Sequence, residues 1–268
     1  MTSPPPTSAE HQLNCLGVGE GWPSGSRRPA SFLYRLGETR LLVDCGDGMS
    51  SAFKATGWDY ESLDAVLLSH MHSDHVGGFS MFVQSLWLNR RRRSLPVYAP
   101  ARALPALQAW LEATLLPPGL IGFELQWRPL VSHEPFTVGG VTVVAHQGTH
   151  LDSLRRSFEA QHPNTAFDSY SFVISDSRRS VAHTADVGGV IDLQPLLAAR
   201  PNLFVSELSH VEIEAITDAI HKTPPGRVVF VHIARDYLLD VPRLEQRLRE
   251  QLGDIPFSLA RDDDAIAF

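Results

Sequence analysis

The most informative segment of this chain reads Asp64-Ala-Val-Leu-Leu-Ser-His-Met-His-Ser-Asp-His-Val-Gly-Gly78. Its first part is a short apolar run typical of a buried strand, and the apolar spacing after it predicts a helix over 79–88. Three imidazoles and one carboxylate therefore lie between a strand end and the first turn of a helix. They are His70, His72, Asp74 and His75. Such ligands suit zinc, iron or manganese, so the segment predicts a metal site.

The arrangement His-x-His-x-Asp-His after an apolar strand resembles the metallo-β-lactamase fold superfamily, and the resemblance covers nearly the whole chain. Two further segments, Leu16–Pro23 and Leu41–Gly48, resemble the opening of its RNase Z-like (phosphodiesterase) branch. Ser94–Pro100 resembles the same branch. Members of that branch tend to have Glu where this chain has Asp47.

Length and composition agree with this resemblance. The 268 residues fit one large α/β domain or two small ones, and a hydrophobic content of 43% is ample for a core. We expect an α/β fold, a four-layer αβ/βα sandwich of the metallo-β-lactamase type. Residues 11–268 are expected to form a single domain behind a flexible tail, residues 1–10. The two cysteines, Cys15 and Cys45, are predicted to be buried thiols.

Charge and hydropathy bear on location and partners. The net charge of -7 does not favour an extended nucleic-acid surface, although a local basic patch would still serve. The N-terminal tail lacks the apolar region of a signal peptide, and no apolar run approaches the roughly 18 residues of a membrane span. These features predict a cytoplasmic protein that does not bind a membrane.

Two histidines compete for the next ligand position that the resemblance implies. His146 lies within the alternation of the strand predicted over 141–145, and His150 follows Gly148, beyond the strand end. The family's ligand comes at such a strand end, just before a loop. The resemblance therefore favours His150, with His146 as the alternative.

Three more roles follow from the resemblance. Asp186 matches an aspartate that bridges two metals, and His232 matches the family's last histidine ligand. Asp44 matches an aspartate that orients a metal-binding histidine. A ligating imidazole usually donates its second N–H to such a carboxylate. One predicted metal site consists of His70, His72 and His150, and the other of Asp74, His75 and His232, with Asp186 shared. His183 has no family role that we can assign, and it is predicted either to be structural or to support a metal ligand.

This ligand set predicts two divalent metal ions, with Zn²⁺ as the first choice and Mn²⁺ or Fe²⁺ as alternatives. With one bridging hydroxide the centre keeps a net charge of about +1, which favours attack on an anionic substrate. Members of the tRNA-processing branch also carry a His-Glu pair that assists departure of the leaving group. Here Ser206 replaces that histidine, Glu207 matches the glutamate, and His210 is placed to take over. The predicted catalytic residues are thus Asp74, Glu207 and His210, although His210 is equally consistent with a surface position at a helix start.

The resulting function is a metal-dependent hydrolase, first of all a phosphodiesterase that uses a metal-bridged hydroxide. We find no spare insertion between His150 and Asp186 for the tRNA-binding arm, so a small anionic phosphodiester is favoured over a long RNA, with short RNA kept open. A lactone, other carboxyl-ester or thioester hydrolase is the alternative on the same centre. A mononuclear-iron oxidoreductase is the alternative of another class. The resemblance alone implies a homodimer.

Two segments remain without an assigned role. The run Arg90–Arg93 is either a phosphate contact or a solvated helix end. The segment Leu151–Asp168 is predicted to be irregular.

Overall fold

The computed structural model describes residues 10–268, so the predicted tail lies outside the described residues except for its last one. The strands are β1 (His11–Gly17), β2 (Ser31–Leu36), β3 (Thr39–Val43), β4 (Ala65–Leu67), β5 (Leu95–Ala99), β6 (Leu125–Pro129), β7 (Pro135–Val138), β8 (Val141–Gln147), β9 (Tyr170–Ser175), β10 (Ser180–His183), β11 (Leu203–Leu208), β12 (Val228–Ile233), β13 (Phe257–Leu259) and β14 (Ala265–Ala267). The helices are α1 (Met49–Ala55), α2 (Ser73–Val76), α3 (Phe79–Leu88), α4 (Leu104–Ala113), α5 (Asp152–Phe158), α6 (Gln194–Ala198), α7 (Ile213–Lys222), α8 (Arg235–Leu238) and α9 (Val241–Leu252).

The strands form two seven-stranded sheets, ordered β14-β1-β2-β3-β4-β5-β6 and β13-β12-β11-β10-β9-β8-β7. Apolar side chains from both sheets, such as Phe32 and Phe172, form one shared core between them. Helices α1, α3 and α4 pack on the outer face of the first sheet, and α6, α7 and α9 on that of the second. This is the predicted four-layer α/β sandwich. Cys15 and Cys45 are both buried and free, as predicted.

Parallel pairing of strands brings the predicted site residues to one edge of each sheet. In the first sheet β3 pairs with β4 in parallel, and in the second sheet β10, β11 and β12 run parallel to one another. The carboxyl ends of parallel strands meet on the same side of a sheet, where open α/β folds bind ligands. The segments that follow β3, β4, β10 and β11 therefore converge. Among residues 10–268, no helix is both long and apolar enough to cross a membrane.

One prediction about local structure was wrong. The segment 151–168, expected to be irregular, contains the helix α5 (Asp152–Phe158). None of its residues is buried, and its apolar residues Leu154 and Phe158 are 40% and 44% exposed. The apolar residues Leu151, Leu154 and Phe158 do recur at helical spacing, but this pattern spans only two turns, which is too short to predict a helix from the sequence.

The arginine run lies at the opposite end of α3 from the histidine segment, about 15 Å along the axis for ten residues. Arg91 is only 1% exposed, and its guanidinium donates hydrogen bonds to the carbonyl oxygens of Tyr60 (2.5 Å), Leu63 (2.9 Å) and Ser94 (3.0 Å). Neither a phosphate contact nor a solvated helix end describes this residue. Arg91 instead fastens the end of α3 to the chain that precedes β4.

Candidate metal centre

The first group of predicted ligands meets within hydrogen-bonding distance. The Nδ1 atom of His72 lies 3.1 Å from Nε2 of His70 and 3.3 Å from Nε2 of His150. His70 follows the end of β4, His72 precedes α2, and His150 follows β8 in the other sheet. Three imidazole nitrogens from both halves of the sandwich therefore face one point.

The second group gathers beside the first. The Nε2 atom of His232 lies 3.2 Å from Oδ2 of Asp74, and Nε2 of His75 lies 3.4 Å from the same oxygen. Asp74 and His75 belong to the first turn of α2, whereas His232 comes from β12. The helix start and the opposite sheet thus supply two imidazoles and one carboxylate to a second point.

Asp186 lies between the two groups and presents one oxygen to each. Its Oδ1 atom is 3.2 Å from Nε2 of His75 and 3.4 Å from Nε2 of His232. Its Oδ2 atom is 3.7 Å from Nε2 of His70 and 3.6 Å from Nε2 of His150. Within each group, the candidate ligand atoms lie within 4.8 Å of one another. Asp186 therefore belongs to both groups and offers one carboxylate oxygen to each.

The structure separates the two competing histidines. His150 contributes to the first group, whereas His146 stays in β8. The ring of His146 instead contacts that of His133, with ring centroids 4.8 Å apart. The geometry therefore favours His150 over His146 as a ligand of the first group.

The buried polar atoms in this centre fit a metal ion. Nε2 of His75 and Oδ1 of Asp186 are buried and have no hydrogen-bond partner among the described residues. Such orphaned groups are costly unless something else satisfies them. A divalent cation between them would satisfy both, and the mixed nitrogen and oxygen donors suit Zn²⁺, Mn²⁺ or Fe²⁺.

The charges in the centre also favour a cation. Burial opposes protonation of His75, but the carboxylates of Asp186 and Asp44 outweigh it and raise the pKa of this imidazole well above its usual value. At the first group burial dominates, lowers the pKa of His150 to about 4 and lowers that of His70 well below its usual value. Neutral imidazoles are the form that binds metal. The same carboxylates that favour a proton at the second group would favour a divalent ion there.

Two serines that the sequence reasoning missed fix ligand histidines in matching ways. Nδ1 of His70 lies 2.9 Å from Oγ of Ser69, which donates to Oδ2 of Asp44 at 2.9 Å. In the other half, Nδ1 of His232 lies 2.7 Å from Oγ of Ser209, which donates to Oε2 of Glu207 at 3.0 Å. A ligating imidazole is oriented by the acceptor at its second nitrogen, so each serine fixes a ring and connects it to a buried carboxylate.

Asp192 is a third residue that sequence reasoning missed. Its Oδ2 atom accepts hydrogen bonds from the backbone N–H of Thr149 (3.0 Å) and of Gly188 (2.8 Å), and from Oγ1 of Thr149 (3.0 Å). Thr149 precedes His150 and Gly188 follows Asp186 by two residues. One carboxylate therefore connects the loops that carry a ligand of the first group and the shared aspartate. No local sequence motif marks this role.

Three of the eight non-glycine residues with positive φ angles among residues 10–268 lie at this centre. They are Asp44, Ala185 and His232, with φ angles of 60°, 47° and 46°. Each is a predicted site residue or adjoins one, and strained backbone persists where surrounding contacts hold it. The turn at His232 is held by the hydrogen bond from its backbone N–H to the carbonyl oxygen of Val18 (2.9 Å).

Glu207 and His210 form a pair beside the two groups. Nδ1 of His210 lies 2.9 Å from Oε1 of Glu207, and Nε2 lies 4.0 Å from Oδ2 of Asp186. Burial disfavours the charged imidazole, but the bond to Glu207 outweighs it and raises the pKa of His210 to about 9. Glu207 also accepts backbone hydrogen bonds from Val187, Ser209 and His210. Glu207, predicted to be catalytic, contacts His210 and would act through it, while Nε2 of His210 faces the centre.

His183 lies outside the two ligand groups. Its Nδ1 atom is 2.8 Å from the hydroxyl of Tyr34, and its ring contacts that of Phe32. The side chain is buried between the sheets, and burial lowers its pKa to about 3. A neutral packing residue agrees with the structural role predicted from the sequence.

The comparisons with known proteins agree with this geometry. The family described as Beta-lactamase superfamily domain matches residues 39–233, which contain every predicted ligand. The chain belongs to the beta-lactamase superfamily. The chain shares its fold with the metallo-beta-lactamase fold protein YhfI from Bacillus subtilis, with a TM-score of 0.75 and a sequence identity of 18%. That similarity covers 96% of this chain and 99% of the Bacillus protein.

Relatives in sequence support the RNase Z-like branch of the superfamily. Ribonuclease Z of Archaeoglobus fulgidus is 28% identical over 140 residues, which cover 52% of this chain and 44% of that protein. Ribonuclease Z of Exiguobacterium sp. strain AT1b is 34% identical over 157 residues, which cover 58% of this chain and 48% of that protein. The chain spans about half the length of these relatives.

Proposed function

We propose that this chain is a metal-dependent hydrolase that cleaves phosphodiesters at a dinuclear centre. The observation that carries the proposal is the position of Asp186, whose two oxygens face two separate groups of ligands. A mononuclear-iron oxidoreductase would need only one of these groups. Similarity to ribonucleases Z, whose substrates are phosphodiesters, favours this reaction over carboxyl-ester hydrolysis.

We assign the proposed ligands to the two groups that the distances define. Two divalent ions held there would act as Lewis acids and lower the pKa of a bound water toward about 7. His70, His72 and His150 would hold one ion, and Asp74, His75 and His232 the other, with Asp186 shared. Zn²⁺ is the first choice because imidazole and carboxylate donors suit it.

His210 is proposed to donate a proton to the leaving oxygen. Glu207 fixes Nδ1 of this imidazole at 2.9 Å, which leaves Nε2 directed toward the carboxylate of Asp186 at 4.0 Å. The side chain is 35% exposed, so it borders both the centre and the solvent. A general acid must lie within reach of the departing atom, and the position of His210 beside the centre supports that role.

The test is hydrolysis of bis(4-nitrophenyl) phosphate by the metal-reconstituted protein, beside a panel of small lactones, with metal content measured on the same sample. We expect two metals per chain and phosphodiester cleavage that Asp186→Ala abolishes without loss of the fold. Asp254→Ala changes an exposed aspartate after α9 and serves as the matched control. Lactone cleavage alone, or unchanged turnover in Asp186→Ala, would contradict the proposal.

A further inference from the structure

Trp22 and Arg235 form an exposed pair beside the centre that the proposed chemistry does not use. The indole of Trp22 is 61% exposed. The guanidinium carbon of Arg235 lies over this ring, 4.0 Å from its centroid. The part of the indole that Arg235 leaves uncovered is open to solvent, where a planar ligand would stack on it.

The loop that carries Trp22 rests on the second group of ligands. A Cβ atom built at Gly21 would lie 3.4 Å from Oδ2 of Asp74, so the backbone just before Trp22 passes close to this carboxylate. Earlier in the same loop, the carbonyl oxygen of Val18 accepts the backbone N–H of His232 at 2.9 Å. Consecutive Cα atoms are 3.8 Å apart, which places Trp22 at the rim of the centre.

Arg235 reaches the same rim from the other side. It is the first residue of α8 and follows His232 by three positions. Its Nε atom is 3.9 Å from a carboxylate oxygen of Asp236, and both side chains are largely exposed, at 58% and 87%. An exposed pair of this kind neutralises little of the guanidinium charge. A positive charge and a flat aromatic surface therefore lie together where a substrate would approach Asp74.

We propose that Trp22 and Arg235 form a stacking platform for the base of a nucleoside phosphodiester. This inference rests on the proposed function and names the substrate class. The indole would stack on the base, since aromatic side chains stack on any nucleobase. The guanidinium would support the stack and attract the phosphate. A phosphodiester without a base would meet the same metal centre but gain nothing from this pair.

The test compares two substrates that share one leaving group, thymidine 5′-(4-nitrophenyl phosphate) and methyl 4-nitrophenyl phosphate. We expect the metal-loaded protein to prefer the thymidine ester in kcat/KM. Trp22→Ala is expected to lower kcat/KM for the thymidine ester by about 5- to 150-fold, the usual range for loss of one base stack, and to leave the methyl ester nearly unchanged. Trp22→Phe should restore part of the preference. Arg235→Met should reduce it.

Two exposed side chains remote from the centre provide controls. Leu88→Ala removes an equally exposed apolar residue, 61% exposed, at the far end of α3, and Arg243→Met removes an exposed arginine from α9. Equal changes for both esters in Trp22→Ala, or no preference in the unchanged protein, would overturn this inference and leave the phosphodiesterase proposal intact. Hydrolysis of neither ester by the metal-loaded protein would overturn both.

Discussion

Asp44 accepts a hydrogen bond from Nδ1 of His75 at 2.6 Å, and both side chains are buried. The backbone N–H of Ser69 (2.7 Å) and its hydroxyl (2.9 Å) also donate to this carboxylate. The left-handed backbone of Asp44, with φ at 60°, directs the side chain away from β3 and under the histidine segment. Asp44 thus orients His75 of the second group directly, and it orients His70 of the first group through Ser69.

Asp44→Asn is expected to weaken metal binding at the second group by about 10- to 100-fold, because an amide is a poorer acceptor for the imidazole N–H. Zinc titration calorimetry, with metal content measured after dialysis, would reveal the loss. Asp47→Asn changes an exposed aspartate three residues away and should bind zinc normally. Equal zinc affinity in the two variants would show that Asp44 does not support the ligand.

His150→Ala should lose the metal of the first group, whereas His146→Ala should keep both metals. The reason is geometric, since Nε2 of His150 lies 3.6 Å from Oδ2 of Asp186 while His146 contacts His133. The two variants make the same chemical change four positions apart and control for each other. Zinc content per chain after exhaustive dialysis decides the matter, and the reverse pattern would place the ligand in β8.

The four clustered residues of the histidine segment were predictable because their spacing is local. Asp186 and His232 were predictable only through resemblance, since neither position is distinctive by itself. Ser69, Ser209 and Asp192 were missed because their contacts exist only in the fold: Asp192 is 43 residues from the threonine that it binds. The four-layer sandwich was expected from the resemblance to the metallo-β-lactamase fold. Helix α5 was missed because its apolar pattern spans only two turns.

His210→Gln is expected to affect substrates according to their leaving groups. Cleavage of a dinucleotide, which expels an alkoxide, should slow by about 10²- to 10⁴-fold, because general acids contribute that much. Cleavage of bis(4-nitrophenyl) phosphate should change little, since nitrophenolate departs without a proton. His162→Gln, at an exposed histidine between α5 and β9, is the matched control. A uniform loss on both substrates would assign His210 to binding rather than proton donation.

Arg91→Met is expected to lower the free energy of unfolding by about 3 kcal/mol, because three or more carbonyl oxygens would lose a charged donor in a buried place. Burial lowers the pKa of this guanidinium to about 10, so it remains charged at pH 7. Arg90→Met, at the exposed neighbour, should change stability little. Urea unfolding of both variants measures the difference, and equal stabilities would show that the buried hydrogen bonds of Arg91 do not stabilise the fold.

Glu214 and Arg247 join α7 to α9 and supply a pH-dependent contribution to stability. Hydrogen bonding to Arg247 lowers the pKa of Glu214 from 4.5 to about 2. A carboxyl whose pKa is lowered by folding stabilises the folded state above its unfolded pKa, and this stabilisation fades as pH falls from about 4.5 through about 2. Both side chains are substantially exposed, at 51% and 39%, so solvent screening limits the contribution to less than about 1 kcal/mol.

Glu214→Gln should therefore lower the free energy of unfolding at pH 7, and the difference from the unchanged protein should shrink as pH falls below about 4.5. High salt should also reduce it, because the pair is exposed. Glu245→Gln, on α9 with Arg247, is the matched control. Urea unfolding at several pH values between 3.5 and 7 measures the free energy of unfolding of each variant. The measurement must resolve a difference of roughly 0.5 kcal/mol between them. A difference that stayed constant across this range would show that ionisation of Glu214 does not contribute to the stability of the folded protein.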